Sequence, residues 1–389
     1  MPNLIDFMTW RGDLPFAAVP PCEIDYLLFA EISYVAFGEL VPRDCFTLGE
    51  AAAALLERDP DAALIAQTPY LWKENRALLE KIVGSGRYGS LIIRDRVDEM
   101  TSDMQFSAVT FYPENCGAVV AFRGTDASFT GWEEDFLMAL DEPVPAQKRA
   151  VQYVCDVAAK TTGAIDIVGH SKGGNLAIYS AATCGETVQA RVRSIHNFDG
   201  PGFPHGLIES DGYRRVRGKL RVYQPQGSVI GMLLEHEKAF ATVQAKSLGL
   251  MQHNAFNWQL SGNAFLRAEK RTQTSSFVSE VVHDWLEKLD NAQRAEFVEA
   301  VFSVVRALDV DSVGDLNVRL VTKLPAIIGR MASIPGELKS QLFSSLLKLG
   351  GTAVSALVQP VVDRLSGQKT GEDGGDEGKN GDGRGVLLS

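Results

Sequence analysis

The chain has 389 residues, a formal net charge of −11, 45% hydrophobic residues and 22% charged ones. That length buries a large core without disulfide or metal staples and gives two or three domains as a starting expectation. The acidic balance argues against a general nucleic-acid binder, which needs a basic face, and against electrostatic docking on anionic lipid.

No apolar run reaches the roughly 18 residues of a transmembrane helix. Met1 to Phe16 lacks a basic region followed by an apolar block, so no signal peptide is expected. The five cysteines are odd in number and widely spaced, with no Cys-x-x-Cys pair. They suit reduced thiols in a cytoplasm, which is the expected location.

In chain order, residues 1–104 read as a mainly helical segment packed on a core. Helical spacing covers Glu23 to Phe37, Leu48 to Arg58 and Lys73 to Ile82. Strand character begins at Tyr88 to Arg94. Residues 105–270 then alternate short β-rich runs with helical stretches. Strands are expected at Phe106–Tyr112, Ala118–Phe122, Ile165–Val168, Val192–Phe198, Leu220–Gln224 and Phe240–Ala245. Helices are expected at Ala146–Thr161 and Asn175–Thr183, with a crossover helix over Gly231–Lys238. This alternation reads as an α/β fold with a mostly parallel sheet covered on both faces. Residues 275–365 read as a helical subdomain, with Phe277–Leu289 and Arg294–Leu308 its clearest helices. Residues 366–389, rich in Gly, Asp, Glu and Lys, read as a disordered tail.

The chemistry concentrates in Ile165-Asp-Ile-Val-Gly-His-Ser-Lys-Gly-Gly174. Gly169-His170-Ser171-Lys172-Gly173 is a Gly-x-Ser-x-Gly motif between a strand and an Ala-rich helix. This is the context of a nucleophile elbow, a sharp turn that presents a serine hydroxyl at the carboxyl edge of a sheet. The Lys172 N–H, at the helix start, points where an oxyanion forms. The plain alternative is a Gly-rich turn with an inert serine. A second run, Phe122-Arg-Gly-Thr125 followed by Trp132 and Asp135, ends a strand at Gly124. There the Thr125 N–H is the natural second oxyanion donor. The alternative is a structural Arg123–Asp135 ion pair, with Gly124 serving only the turn.

Phe-Arg-Gly-Thr, Trp132, Asp135 and Gly-His-Ser-x-Gly-Gly together resemble class 3 (fungal-type) lipases and related esterases of the α/β-hydrolase fold, over about residues 105–260. Trp10-Arg11-Gly12-Asp13-Leu14 and Met251-Gln252-His253 resemble an uncharacterised bacterial lipase-like subfamily of those hydrolases. The resemblance implies a Ser–His–acid triad, with Thr125 and Lys172 in the oxyanion hole.

Chain order Ser, acid, His guides the remaining assignments. Of six histidines, His170 is the elbow's own x residue and is expected to pack beside the sheet. His196 lies inside a strand, His205 follows its strand too closely, His236 sits in the crossover helix, and His283 falls in the helical subdomain. His253 follows the last strand by a loop and is the expected general base. The family's acid position, after Leu220–Gln224, holds Pro225-Gln226-Gly227-Ser228 and no carboxylate. Asp199, at the end of the preceding strand, is the expected acid; the alternative is that it caps the Gly-Pro-Gly turn through its own backbone. Glu235 and Asp211 are weaker choices. Phe256 and Trp258 suit an acyl pocket or the core equally.

The expected activity is hydrolysis of a small-molecule acyl ester by Ser171, His253 and Asp199, without metal or organic cofactor. Thioesterase, amidase or acyltransferase chemistry at the same site remains open. So does a catalytically degenerate scaffold that binds a partner. Gly84-Ser-Gly-Arg-Tyr-Gly89 lacks the Gly-Lys-Ser/Thr of a phosphate loop. The C-terminal helices could cover a pocket or join copies of the chain.

Overall fold

The computed structural model describes residues 1–38, 46–59, 72–126, 131, 134–135, 137–138, 143–228, 230–232, 234, 240–247, 249–269 and 271. The chain divides into two compact units, 1–331 and 332–389, and every described residue lies in the first. The expected helices of 275–365, the tail, Cys45, Trp132, Glu235, His236 and His283 lie outside the described residues.

An eight-stranded sheet runs in sequence order: β1 (Phe46–Thr47), β2 (Ile92–Met100), β3 (Gln105–Tyr112), β4 (Ala118–Phe122), β5 (Ile165–His170), β6 (Val192–Phe198), β7 (Leu220–Pro225) and β8 (Ala241–Val243). The first four strands pair antiparallel. The four pairings from β4 to β8 are parallel. The antiparallel pairing of β2, β3 and β4 follows from the connections. Met100 to Gln105 and Tyr112 to Ala118 are too short for a crossover, and parallel neighbours need a dozen residues or more. From β4 to β7 helices supply the crossovers, and the sheet is parallel through β8. With helices on both faces this is an α/β-hydrolase fold.

Covering both faces explains the continuous apolar runs. All five residues of β4 are buried. Val119 and Ala121 face one core, with Leu27, Phe29 and Phe111. Val120 and Phe122 face the other, with Val154, Ile167 and Leu176. On the first face lie α1 (Leu4–Arg11), α2 (Glu23–Ile32), α3 (Leu48–Arg58) and α4 (Trp72–Val83). Capping boxes start α1, through Asn3 and Asp6, and α3, through Thr47 and Glu50. Each satisfies N–H groups that lack helical partners. On the second face lie α5 (Pro145–Lys160) and α6 (Lys172–Thr183).

Several expected elements differ in extent: the strand read as beginning at Tyr88–Arg94 is β2, Ile92–Met100. Helix α2 stops at Ile32, where Ser33 caps it, rather than reaching Phe37. The last strand is three residues long, Ala241–Val243. In place of the start of the Gly231–Lys238 helix stands a short 3₁₀ turn, Ile230–Met232, and most of the rest lies outside the described residues. Gly231 sets that turn: a Cβ on it would come within 2.4 Å of Asp199 Oδ1.

The Gly-rich 84–89 segment is an anchor for the N-terminal layer. Arg87 N and Ser85 Oγ both donate to Gly12 O, each at 2.8 Å. Arg87 Nη1 donates to Leu14 O at 2.7 Å. The buried Arg87 guanidinium also pairs with Asp25 through two bonds of 2.8 Å.

Candidate active site

The elbow forms because its neighbours leave no room for side chains. Ser171, between β5 and α6, has φ 57° and ψ −133°. That left-handed φ is costly for a non-glycine residue and is held only where the surroundings dictate it. Here Ser171 N donates to Phe198 O at 3.0 Å and Gly174 N to Ser171 O at 2.8 Å. A Cβ on Gly173 would come within 2.1 Å of Phe122 O, and one on Gly169 within 2.1 Å of Gly173. The glycines let α6 descend directly onto β4 and β5. Ser171 itself is half-buried.

Lys172 begins α6, where first-turn N–H groups lack intrahelical acceptors. Its side chain turns away from Ser171. The ammonium is fully buried, donates to Gln105 O at 2.9 Å and pairs with Glu134. Glu134 in turn accepts from Ala146 N at 2.8 Å. The lysine side chain is therefore a strut between α6 and β3.

The exit of β4 lies against the elbow. A Cβ on Gly124 would meet Tyr34 Oη at 2.1 Å, His170 O at 2.7 Å and Ser171 Cβ at 3.0 Å. The Thr125 hydroxyl donates to Asp135 Oδ2, while Asp135 Oδ1 is buried without a hydrogen-bond partner. Burial pushes the Asp135 carboxyl up to about 6, against the opposing pull of Lys172 and Thr125. The Arg123–Asp135 pair considered from the sequence does not form. Arg123 pairs instead with Asp98 at 3.1 Å and Asp126 at 3.6 Å.

At the end of β6, Asp199 has φ 54° and is fully buried. It accepts from Ser228 Oγ on Oδ1 and from His253 Nδ1, at 2.7 Å, on Oδ2. The turn after it is capped by another side chain: Asn197 Oδ1 accepts from Gly200 N at 2.8 Å. Ser228, just past β7, occupies the stretch where the resembled family carries its acid. Asp211 is exposed beside Arg214.

His253 ends a 3₁₀ turn, Gly249–His253, after β8, and its side chain is 20% exposed. The loop around it is pinned. Gly227 N donates to Gln252 Oε1 at 2.7 Å, Trp258 Nε1 to Gln252 O at 2.9 Å, and Lys246 N to Asn257 O at 2.9 Å. Trp258 and Phe256 are fully buried and belong to the core. The His253 Nδ1–H donates to a carboxylate, so Nε2 is left as the acceptor nitrogen.

Of the other described histidines, His196 and His205 lie elsewhere. His196 is buried in β6, bonded to Ser194 Oγ at 2.9 Å and stacked on Tyr26 at 3.9 Å. Burial holds it well below its ordinary value, at about 3. His205 is exposed beside Glu209. His170 is buried and stacks on His253 with ring centroids 4.6 Å apart. Its Nε2 lies 2.9 Å from His253 O. Sequence reasoning gave no roles to Ser228, Asn197, Tyr34 or Glu31. Among the described residues, no group of three or more His, Cys, Asp or Glu could hold a metal, and no helix is long and apolar enough to cross a membrane.

Comparison with other proteins adds three findings. No curated protein matches the chain. Among solved structures, an M37 lipase crystal structure is similar at 14% identity and a TM-score of 0.33, covering 54% of this chain and 69% of that one. A family profile described as Mbeg1-like matches residues 82–303, from the end of α4 past the elbow and the His253 loop. That span is more than half of the 389 residues, and the chain belongs to the Mbeg1-like family.

Proposed function

We propose that the protein is a serine hydrolase that cleaves carboxylic esters through an acyl-enzyme. The observation that carries the reading is the strained backbone of Ser171 at the β5–α6 junction. A serine is held at such a cost where a hydroxyl must stand clear of the sheet and reach a carbonyl. The resemblance of the Phe122-Arg-Gly-Thr125 and Gly169-His-Ser-Lys-Gly-Gly174 runs to class 3 lipases supports the same class of chemistry.

In this reading Ser171 Oγ attacks the ester carbonyl and His253 Nε2 takes its proton. The Asp199 carboxylate orients the ring and stabilises the imidazolium. The N–H groups of Thr125 and Lys172 hold the oxyanion. His253 then passes its proton to the leaving alcohol, and water, deprotonated in turn by His253, releases the acid. Ser228 shares the role of holding Asp199 in place, which supports a charged acid at β6 rather than at β7.

A fluorophosphonate probe tests the reading. Wild-type protein is expected to be labelled at Ser171 and Ser171→Ala to be silent. Asp199→Asn is expected to lower kcat for p-nitrophenyl butyrate on the order of 10³–10⁴-fold, because the wrong tautomer is then favoured. Wild-type protein that stays unlabelled and hydrolyses no ester, thioester or amide would return the chain to a binding scaffold.

A further inference from the structure

Behind His253 lies a second polar layer that the mechanism does not use. His170 lies beneath the His253 ring, and Tyr34 and Glu31 lie behind His170. Tyr34 Oη is 3.3 Å from His170 Nδ1 and 3.4 Å from His170 O. Glu31 Oε1 is 3.3 Å from the same Nδ1. Both Glu31 carboxyl oxygens are buried without a formed hydrogen bond, at 1% side-chain exposure. A carboxylate in that condition is among the most costly groups a protein can bury.

Donor and acceptor bookkeeping assigns the protons. His170 Nε2 faces a carbonyl oxygen, which only accepts, so Nε2 carries a proton. A second proton on Nδ1 would make His170 a cation stacked on the ring that must become an imidazolium in the reaction, opposing it. His170 is therefore neutral, and Nδ1 offers one lone pair. Tyr34 has another acceptor, the His170 carbonyl; Glu31 has none. With the Tyr34 proton on that carbonyl, the proton facing Nδ1 comes from Glu31.

We propose that Glu31, as a neutral carboxylic acid donating to His170 Nδ1, and His170, donating from Nε2 to the His253 carbonyl, are positioning residues that fix the general base over Asp199. This rests on the hydrolase reading above. Two further facts fit. Glu31 is the next-to-last residue of α2, where helix carbonyls converge and a negative charge is disfavoured. Burial, aided by Glu74 on α4, also pushes its carboxyl up to about 8, while burial and the neighbouring His253 hold His170 well below its ordinary value. The charged groups around this layer are Glu74, His170 with His253 beyond it, and, past Tyr34, Arg123 and Asp135.

The consequence is a descending limb in activity. Once Glu31 ionises, its carboxylate faces a lone pair. The hydrogen bond is lost or the proton moves onto His170, and either change works against the base.

The test uses the full-length protein with ¹⁵N-labelled histidine. From pH 6 to 7.5, His170 is expected to be neutral and protonated at Nε2. The kcat for p-nitrophenyl butyrate is expected to fall above a pH of about 8, and Glu31→Gln to abolish that fall, since an amide donates to Nδ1 at every pH. Glu31→Ala is expected to lower kcat on the order of tenfold with KM little changed, the worth of one hydrogen bond, and Gln to recover most of that loss. A cationic or Nδ1-protonated His170 at neutral pH, or an alkaline limb that survives in Glu31→Gln, overturns the inference. If Glu31→Ala fails to fold, the wild-type spectrum and the Gln variant still decide. The two readings fail separately. Probe-labelled Ser171 with a cationic His170 sinks this inference alone, whereas unlabelled Ser171 with Nε2-protonated His170 sinks the hydrolase reading and leaves the hydrogen-bonded layer standing.

Discussion

Helix α2 buries a carboxyl group near each end and treats the two in opposite ways. Asp25, in the first turn, accepts four hydrogen bonds: two from Arg87 at 2.8 Å, one from Tyr88 Oη at 2.6 Å and one from Cys22 N at 2.8 Å. The Arg87 guanidinium also lies 3.8 Å over the Phe16 ring. Glu31, in the last turn, accepts no hydrogen bond and faces the back of the candidate site. The lesson is that burial alone does not say what a charge is for. A fully satisfied carboxylate ties the N-terminal layer together, whereas an unsatisfied one is kept near a site where its proton has a use.

The largest expected effect breaks the satisfied end. Arg87→Ala leaves Asp25 buried and unpaired, and should cost about 3–5 kcal/mol in urea unfolding. Activity per folded molecule should be unchanged; an active-site defect at full stability would erase the contrast between the two ends.

The next effect has the opposite sign. Glu31 is raised to about 8 in the folded state, above its ordinary 4.5. The folded protein therefore holds this proton where the unfolded chain has lost it, so stability from this group is intact at low pH. It falls as pH rises from about 4.5 towards 8, and above that the full cost, on the order of a few kcal/mol, is present. Glu31→Gln should match wild type in urea midpoint at pH 4.5 and exceed it at pH 9. Equal midpoints at pH 9 would mean that Glu31 is as well satisfied as Asp25.

A smaller effect concerns the wall shared by Tyr34 and the elbow. Gly124→Ala forces a Cβ against Tyr34, His170 and Ser171, and should cost about 1–3 kcal/mol in stability. Probe labelling of Ser171 should slow with it. Labelling at the wild-type rate would show that the β4 exit is not packed on the serine. The smallest effect is Ser228→Ala. It removes one of the two side-chain donors to Asp199 among the described residues and should lower kcat by roughly tenfold, the worth of a hydrogen bond to a charged group.

Much of the fold is legible in the residues, and the limits are physical. The β4 limits follow directly from an apolar run covered on both faces, and the elbow from Gly169, Gly173 and Gly174 around a serine. Strand direction is not written in such runs; for β2, β3 and β4 it comes from connection length, which is why their antiparallel pairing is unexpected. The end of α2 at Ile32 is masked by apolar residues that continue through Phe37 in irregular chain. At the candidate site, chain order and the Asn197-Phe198-Asp199 strand end direct attention to Asp199, but not to Ser228 as its second donor. Capping by Asn197 rather than Asp199 depends on a turn geometry that composition does not encode. Glu31 leaves one readable trace: it stands at helical spacing from Leu27 and Leu28, on a face that is otherwise apolar. What it meets there, a histidine 139 positions along the chain, is a tertiary fact.

Glu23, at the first turn of α2, accepts from Phe265 N at 2.7 Å and pairs with Arg267, contacts that bridge 242 and 244 positions. On a ribosome adding about 5–20 residues per second, such a bond waits roughly 10–50 s after its acceptor emerges. The helix that shelters the back of the candidate site is therefore made among the first elements and secured by the last of the described ones. A pause in translation before residue 265 would leave this latch open while most of the sheet has already been synthesised.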